Sequence, residues 1–377
     1  MPRFKLLALG VSSFGYRYLA RPIFFLFDSE VIHHALTRAG EWFGRYSAAR
    51  SFLDRLWRVE SPLLRQTVAG IDFRTPVGLA AGFDYEGRLT QILPSLGFGF
   101  GTVGTITNKA YEGNAPPRLG RLVQSRSLLV NKGFKNEGIK IILNRFAARH
   151  FASPVGLSLG KTNTLEIKNQ AEAVADVVAA FRQAEAATQP NFAYYELNIS
   201  CPNLKGNIEF YEPEHLRELL AAVTGLRLHR PLFIKMPITR SDEETRAMLR
   251  VVSTFSVAGV IFGNLQSNRQ DPSLQPAEVA RAGKGHFSGR PTAARSNELI
   301  RLTYREFGER LVIIGCGGIF SAADAYTKIR LGATLVQLIT GLIYEGPQLP
   351  GEISLGLIKL LRRDGLNHLA EAIGRDA

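Results

Sequence analysis

Eight short apolar runs, each closing on small or polar residues, recur between residues 76 and 340. They occupy 76–82, 98–105, 154–160, 194–200, 232–237, 258–264, 311–318 and 334–340. Runs of this length are too short for helices, and their Val, Ile and Leu content suits strands buried on both faces. Between many of them lie longer stretches with helical spacing, at 170–187, 215–228, 242–255, 293–307 and 322–331. Strands that alternate with helices run parallel, and eight such units predict a closed α/β barrel, the (β/α)8 or TIM barrel. A chain of 377 residues holds one such barrel and an appendage. The predicted division is a helical region over residues 1–61 and the barrel over 62–377. No internal repeat, low-complexity tract or interdomain linker interrupts it.

In a barrel of this kind the reactive groups gather where the strands end. The fourth run ends in Asn198-Ile199-Ser200-Cys201-Pro202-Asn203, in which Asn198, Ser200, Cys201 and Asn203 are small groups able to donate, accept or attack. Pro202 has no N–H and a fixed φ, so it stops the ladder and leaves the Cys201 thiol facing whatever lies beyond. The other ends carry Ala81-Gly82, Thr105, Lys235, Gly263-Asn264, Gly317-Gly318 and Thr340-Gly341. Glycines there admit a ligand close to the backbone, and the amides after the last two strands suit a phosphate. Lys235 would place a cation in the barrel mouth, suited to negative charge on a reduced flavin ring. No pair of carboxylates, His cluster, metal-ligand spacing or Walker loop occurs at these ends, so no metal is expected and glycoside or metal-dependent hydrolysis is disfavoured.

Residues 4–27 are rich in Leu, Phe and Tyr, but Lys5, Arg17, Arg21 and Pro22 break them up before a membrane-spanning length is reached. The same arginines disrupt a signal-peptide core. From 28 to 57, apolar residues including Val31, Ile32, Leu36, Trp42 and Phe43 recur at helical spacing, with Asp28 and Ser29 placed to cap the start and arginines between. The pattern fits a helix lying in a lipid headgroup layer, and equally a flap packed on its own barrel. A formal net charge of +13 suggests an anionic partner, but charge alone does not choose among nucleic acid, an acidic membrane surface and a phosphorylated cofactor, and a solvated basic surface is the commonest explanation of such an excess. Two cysteines are too few for a disulfide framework and point to a reducing compartment.

Several ordered motifs together resemble the dihydroorotate dehydrogenases. They are Leu79-Ala80-Ala81-Gly82-Phe83-Asp84, Gly104-Thr105-Ile106-Thr107, Pro117-Arg118-Leu119, Asn198 through Asn203, Ser288-Gly289-Arg290-Pro291, Ile314 through Ile319, and Leu335-Val336-Gln337-Leu338. The N-terminal helices resemble the membrane-associated class, in which the extension is the quinone entrance. The resemblance implies FMN held by Ala81, Gly82, Thr105, Asn198, Lys235, Gly289, Gly317, Gly318 and Thr340. It implies substrate held by Asn198, Asn203 and Asn264, and Cys201 as catalytic base. It also implies oxidation of dihydroorotate to orotate in pyrimidine biosynthesis, with quinone as acceptor and no nucleic-acid partner. The expected location is the membrane surface, on the cytoplasmic face of the inner membrane if the cell is bacterial.

The departures are equally specific. Cys at the base position is typical of the soluble class, whereas membrane-class members usually carry Ser. Tyr85 stands where the family has a lysine that helps bind orotate and flavin. Val130 replaces a substrate-binding asparagine, for which the adjacent Asn131 is the expected substitute. Gly263 and Leu265 replace contacting threonines, and Thr162, beside Asn163, replaces a flavin-contacting asparagine. These losses leave open the same flavin chemistry on another dihydro or unsaturated ring. A flavin-binding barrel without turnover is a third reading, opposed by the presence of Cys201, Lys235 and Asn198. The extension is expected to be separable from the flavin chemistry.

Overall fold

The computed structural model describes residues 3–187 and 191–377; the first two residues of the predicted N-terminal region lie outside them. Eight parallel strands close into a barrel in chain order: Val77–Leu79, Phe100–Thr107, Val155–Gly160, Tyr194–Asn198, Leu232–Met236, Gly259–Phe262, Val312–Cys316 and Leu335–Leu338. Each falls on one of the apolar runs, because a strand covered by helices outside and side chains inside is apolar throughout. The helices Gln170–Ala186, Asp242–Ser253 and Ala322–Arg330 start on Asn169, Ser241 and Ser321, whose side chains accept from backbone amides of the first turn.

The barrel interior changes character along its axis. Phe100, Tyr194, Phe233, Ile261, Ile314 and Leu335 fill one end, which the hairpin Gln66–Val68 and Ile71–Phe73 closes from below. Toward the strand ends the filling becomes polar, with Thr102 bonded to the Tyr194 hydroxyl at 2.8 Å and to the Gln337 amide at 3.1 Å. In the second strand the register slips between Val103 and Ile106, so that consecutive Gly104 and Thr105 both face the mouth.

Two features were absent from the sequence reading. A three-stranded sheet, Leu119–Leu122, Ser127–Val130 and His286–Phe287, stands beside the mouth. The helix expected over 28–57 is two helices, Ser29–Arg45 and Ser47–Trp57, separated at Tyr46, which is extended (φ −98°, ψ 120°). Before them, Arg3–Gly15, a π-helical turn Tyr16–Ala20 and Arg21–Phe25 follow one another directly.

The extension packs on the barrel and also presents an apolar face to solvent. Leu9 and Val59 are buried in one cluster with Leu89, Ile92, Leu349 and Ile353. Trp57 Nε1 donates to Ser12 Oγ (2.8 Å), the Tyr16 hydroxyl to the Ile343 carbonyl (2.7 Å), and Arg17 pairs with Glu345 (2.6 Å). Phe25 turns inward, its ring edge-on to Tyr344 at 5.5 Å. On the opposite side Phe4, Leu7, Val11, Phe14 and Tyr18, spaced three and four apart, each leave more than half of their surface in water. Among the described residues no helix is long and apolar enough to cross a membrane.

Candidate functional site

Two adjoining cavities open at the carboxyl ends of the strands and share Ala81, Lys235, Asn264, Leu265, Ser288 and Ile339. The first is a glycine cradle. Gly317 (φ +96°) and Gly318 (φ +71°) hold a backbone that side chains rarely adopt, and a Cβ on Gly318 would stand 2.3 Å from Ala293 Cβ. Gly289 (φ +79°) is equally confined, between the Arg126 carbonyl and Thr340. Among the described residues the amides of Gly318 and Ile319 have no acceptor within the chain. Together with Thr340, whose hydroxyl lies 2.8 Å from Ser288 Oγ, they suit a phosphate.

The second cavity spans about 910 Å³ including its open mouth, within the range of small-molecule sites. Gly82, Thr105, Asn198, Cys201, Asn203, Lys235 and Asn264 line it. A chain of hydrogen bonds sets their orientation. Asn264 Nδ2 donates to Ser200 Oγ (2.5 Å), Ser200 Oγ to Asn198 Oδ1 (2.9 Å), and Asn198 Nδ2 to Thr105 Oγ1 (2.8 Å). Thr105 meets Ser158 at 3.0 Å, Ser158 reaches Glu196 at 3.4 Å, and Glu196 Oε1 lies 3.6 Å from Lys235 Nζ. Because every donor points toward the carboxylate, the carbonyl end of Asn264 is left for a ligand.

Cys201 is partly exposed as a residue, but burial pushes its thiol up to about 12, with the Asn203 amide and the Lys235 charge drawing it down. Asn203 Nδ2 donates to the Val130 carbonyl at 3.1 Å, which ties the loop after Cys201 to the small sheet.

Cys201 and all nine residues expected at the flavin therefore line one or both cavities, as do Asn203 and Asn264. Asn131 lines neither: its Oδ1 accepts from Asn114 Nδ2 at 3.0 Å. Its neighbour Val130 faces the cavity instead, since adjacent strand residues point to opposite sides. Thr162 and Asn163 also turn elsewhere, Thr162 to Asp176 and Asn163 to the Gly133 carbonyl and the Lys205 amide.

Two polar residues stand out among the lining residues that were missed. Lys132 is 9% exposed, its Nζ lies 4.5 Å over the Tyr85 ring, and burial pulls its pKa down to about 8. His33, from the extension, donates through Nε2 to the Phe83 carbonyl (2.8 Å) and stacks on Tyr85 with centroids 5.7 Å apart. Burial and the nearby Lys132 push it down to about 3, so it stays neutral. Lys132 sits in an aperiodic loop and His33 sits beside another histidine on a surface-type helix, so neither carried a local signal.

A family profile described as dihydroorotate dehydrogenase matches residues 63–361. A protein named dihydroorotate dehydrogenase (quinone) from Nocardia farcinica is 36% identical over 360 residues, covering 94% of this chain and 95% of its own. The protein of the same name from Mycolicibacterium smegmatis is 37% identical over 362 residues, covering 95% and 98%. The crystal structure of DHODH from Eimeria tenella in complex with ferulenol superposes with a TM-score of 0.81 at 27% identity, covering 93% of this chain and 96% of that one. The chain belongs to the dihydroorotate dehydrogenase family of flavin-dependent oxidoreductases.

Proposed function

We propose that this protein oxidises dihydroorotate to orotate in pyrimidine biosynthesis, using FMN and passing the electrons to a quinone. The observation that carries the reading is a pair of adjoining cavities in which a thiol, three asparagine side chains and a lysine adjoin a glycine cradle with free amides. Bound there, FMN would supply the hydride acceptor. Gly317, Gly318, Gly289 and Thr340 would hold its phosphate, while Ala81, Gly82, Thr105, Asn198 and Lys235 would flank its ring. Asn198, Asn203 and Asn264 orient the substrate by hydrogen bonds, and Cys201 takes the proton from the carbon next to the ring carbonyl. A thiol driven to a high pKa is a strong base once it is ionised, and the Lys235 charge favours the ionised form.

The extension serves as the membrane-facing part. Its outward row of Phe4, Leu7, Val11, Phe14 and Tyr18 would lie in the headgroup layer, with the basic charge of the chain favouring anionic lipid. A peripheral position of this kind, on the cytoplasmic face in a bacterial cell, lets an apolar quinone reach the site from the bilayer.

The deciding experiment is anaerobic addition of dihydroorotate to the purified yellow protein. Bleaching of the flavin absorbance is expected, with recovery on addition of quinone. A flavin that stays oxidised with dihydroorotate yet bleaches with another dihydro ring would replace the substrate and keep the chemistry.

A further inference from the structure

Three polar atoms around the second cavity are buried without a hydrogen-bond partner among the described residues: Lys132 Nζ, Tyr85 Oη and His33 Nδ1. They come from three separate segments, the loop after Ser127–Val130, the loop after the first barrel strand, and the extension helix Ser29–Arg45. The tertiary fold stacks them, with His33 against one side of the Tyr85 ring and the Lys132 amine over the ring. The nearby carboxylates are already engaged. Glu30 lies 3.2 Å from Arg118 and 3.5 Å from Lys135, and Glu86 lies 2.5 Å from Arg88. The Glu30 charge also acts on Lys132, but it is shared with Arg118 and Lys135, so the buried Lys132 amine makes no hydrogen bond or ion pair of its own, which is costly. An anion entering the cavity would give the amine the partner it lacks. A quinone is neutral and does not balance it, whereas a ring acid does. Cys201, Asn203 and Asn264 line the same cavity, so a ring held by them has this corner within the same space.

We propose that Lys132, seated on Tyr85 and backed by His33, receives the negatively charged group of the substrate ring, so that the extension helix completes the substrate pocket. The identity of that ring as dihydroorotate rests on the function proposed above.

The test is orotate binding to the full-length, flavin-loaded protein, followed by the shift in flavin absorbance, together with the KM for dihydroorotate, for its neutral methyl ester and for quinone. Lys132→Met is expected to weaken orotate by about tenfold to a hundredfold, the usual loss for a charged hydrogen bond. The change in KM should be much smaller for the ester, which has no charge to lose. Adding Tyr85→Lys to Lys132→Met should recover part of the orotate binding, because that position lies directly beneath the missing amine. If Lys132→Met fails to fold, Lys132→Gln keeps a polar end and takes its place. Unchanged orotate affinity, or a loss equal for acid and ester, overturns the proposal while leaving the function intact. A rise confined to the quinone KM also overturns it and reassigns the cation to the acceptor. A wild-type protein that neither binds orotate nor is reduced by dihydroorotate overturns the functional reading and this proposal together.

Discussion

Lys235 and Glu196 face one another inside the barrel, Nζ to Oε1 at 3.6 Å, with exposures of 4% and 0%. The pair links the cavity wall to the hydrogen-bonded chain that runs through Thr105 and Asn198 to Asn264. Removing one member of a buried pair leaves the other uncompensated, at a cost of about 3–5 kcal/mol. Lys235→Met is therefore expected to lower the denaturation midpoint clearly and to reduce flavin content. Glu196→Gln should also destabilise, since it leaves the buried amine without its partner. Urea titration of both variants checks this, and wild-type stability in either would remove the pair from the account.

The proposed role of Cys201 as the base is tested by removing its thiol. Cys201→Ala should keep its flavin and lose about a hundredfold to ten-thousandfold in the rate of substrate-driven reduction. Stopped-flow reduction under anaerobic conditions measures it directly.

The pH dependence of that same step follows from the buried thiol. Burial raises its pKa, so the ionised form is scarce at neutral pH and grows about tenfold per pH unit below the pKa. The reduction rate should then climb steadily from pH 6 to pH 10, without levelling near the ordinary thiol value of about 8.5. A plateau at that value would mean that the thiol is solvated during turnover.

Gly318 tests the cradle. Its φ of +71° and the 2.3 Å approach of an added Cβ to Ala293 leave no room for a side chain. Gly318→Ala is expected to cost about 1–3 kcal/mol through strain and to lower the ratio of flavin to protein absorbance after purification.

Membrane docking is best tested by point changes in the full chain. Leu7→Asp together with Val11→Asp alters only outward-facing residues, 67% and 63% exposed. Sedimentation with anionic vesicles should fall sharply, while anaerobic reduction by dihydroorotate proceeds unchanged. Deletion of the extension is a poorer test, because it removes His33 from the cavity wall and uncovers the cluster around Leu89 and Ile92. The sequence suggested a separable segment; Leu9 and Val59 share a buried cluster with barrel residues, so a deletion would disturb the barrel as well.

What the sequence alone determined was everything that rests on local pattern. The barrel strands were placed within a residue or two at most ends, because a strand buried on both faces announces itself as a bounded apolar run. The placement of Cys201 and of the glycines at 317 and 318 in the barrel mouth was legible because each closely follows a strand end. The small sheet was not, since strands of two to four residues leave no periodicity to read. Nor was the break at Tyr46, where apolar spacing continues across the bend. Tertiary structure decided which of Val130 and Asn131 faces the cavity, because a strand turns alternate residues to opposite sides and its register depends on distant partners. It also decided that His33, Tyr85 and Lys132 form one stack. Their segments are far apart in the chain, and a contact between distant segments depends on how the whole fold closes rather than on the residues beside each one.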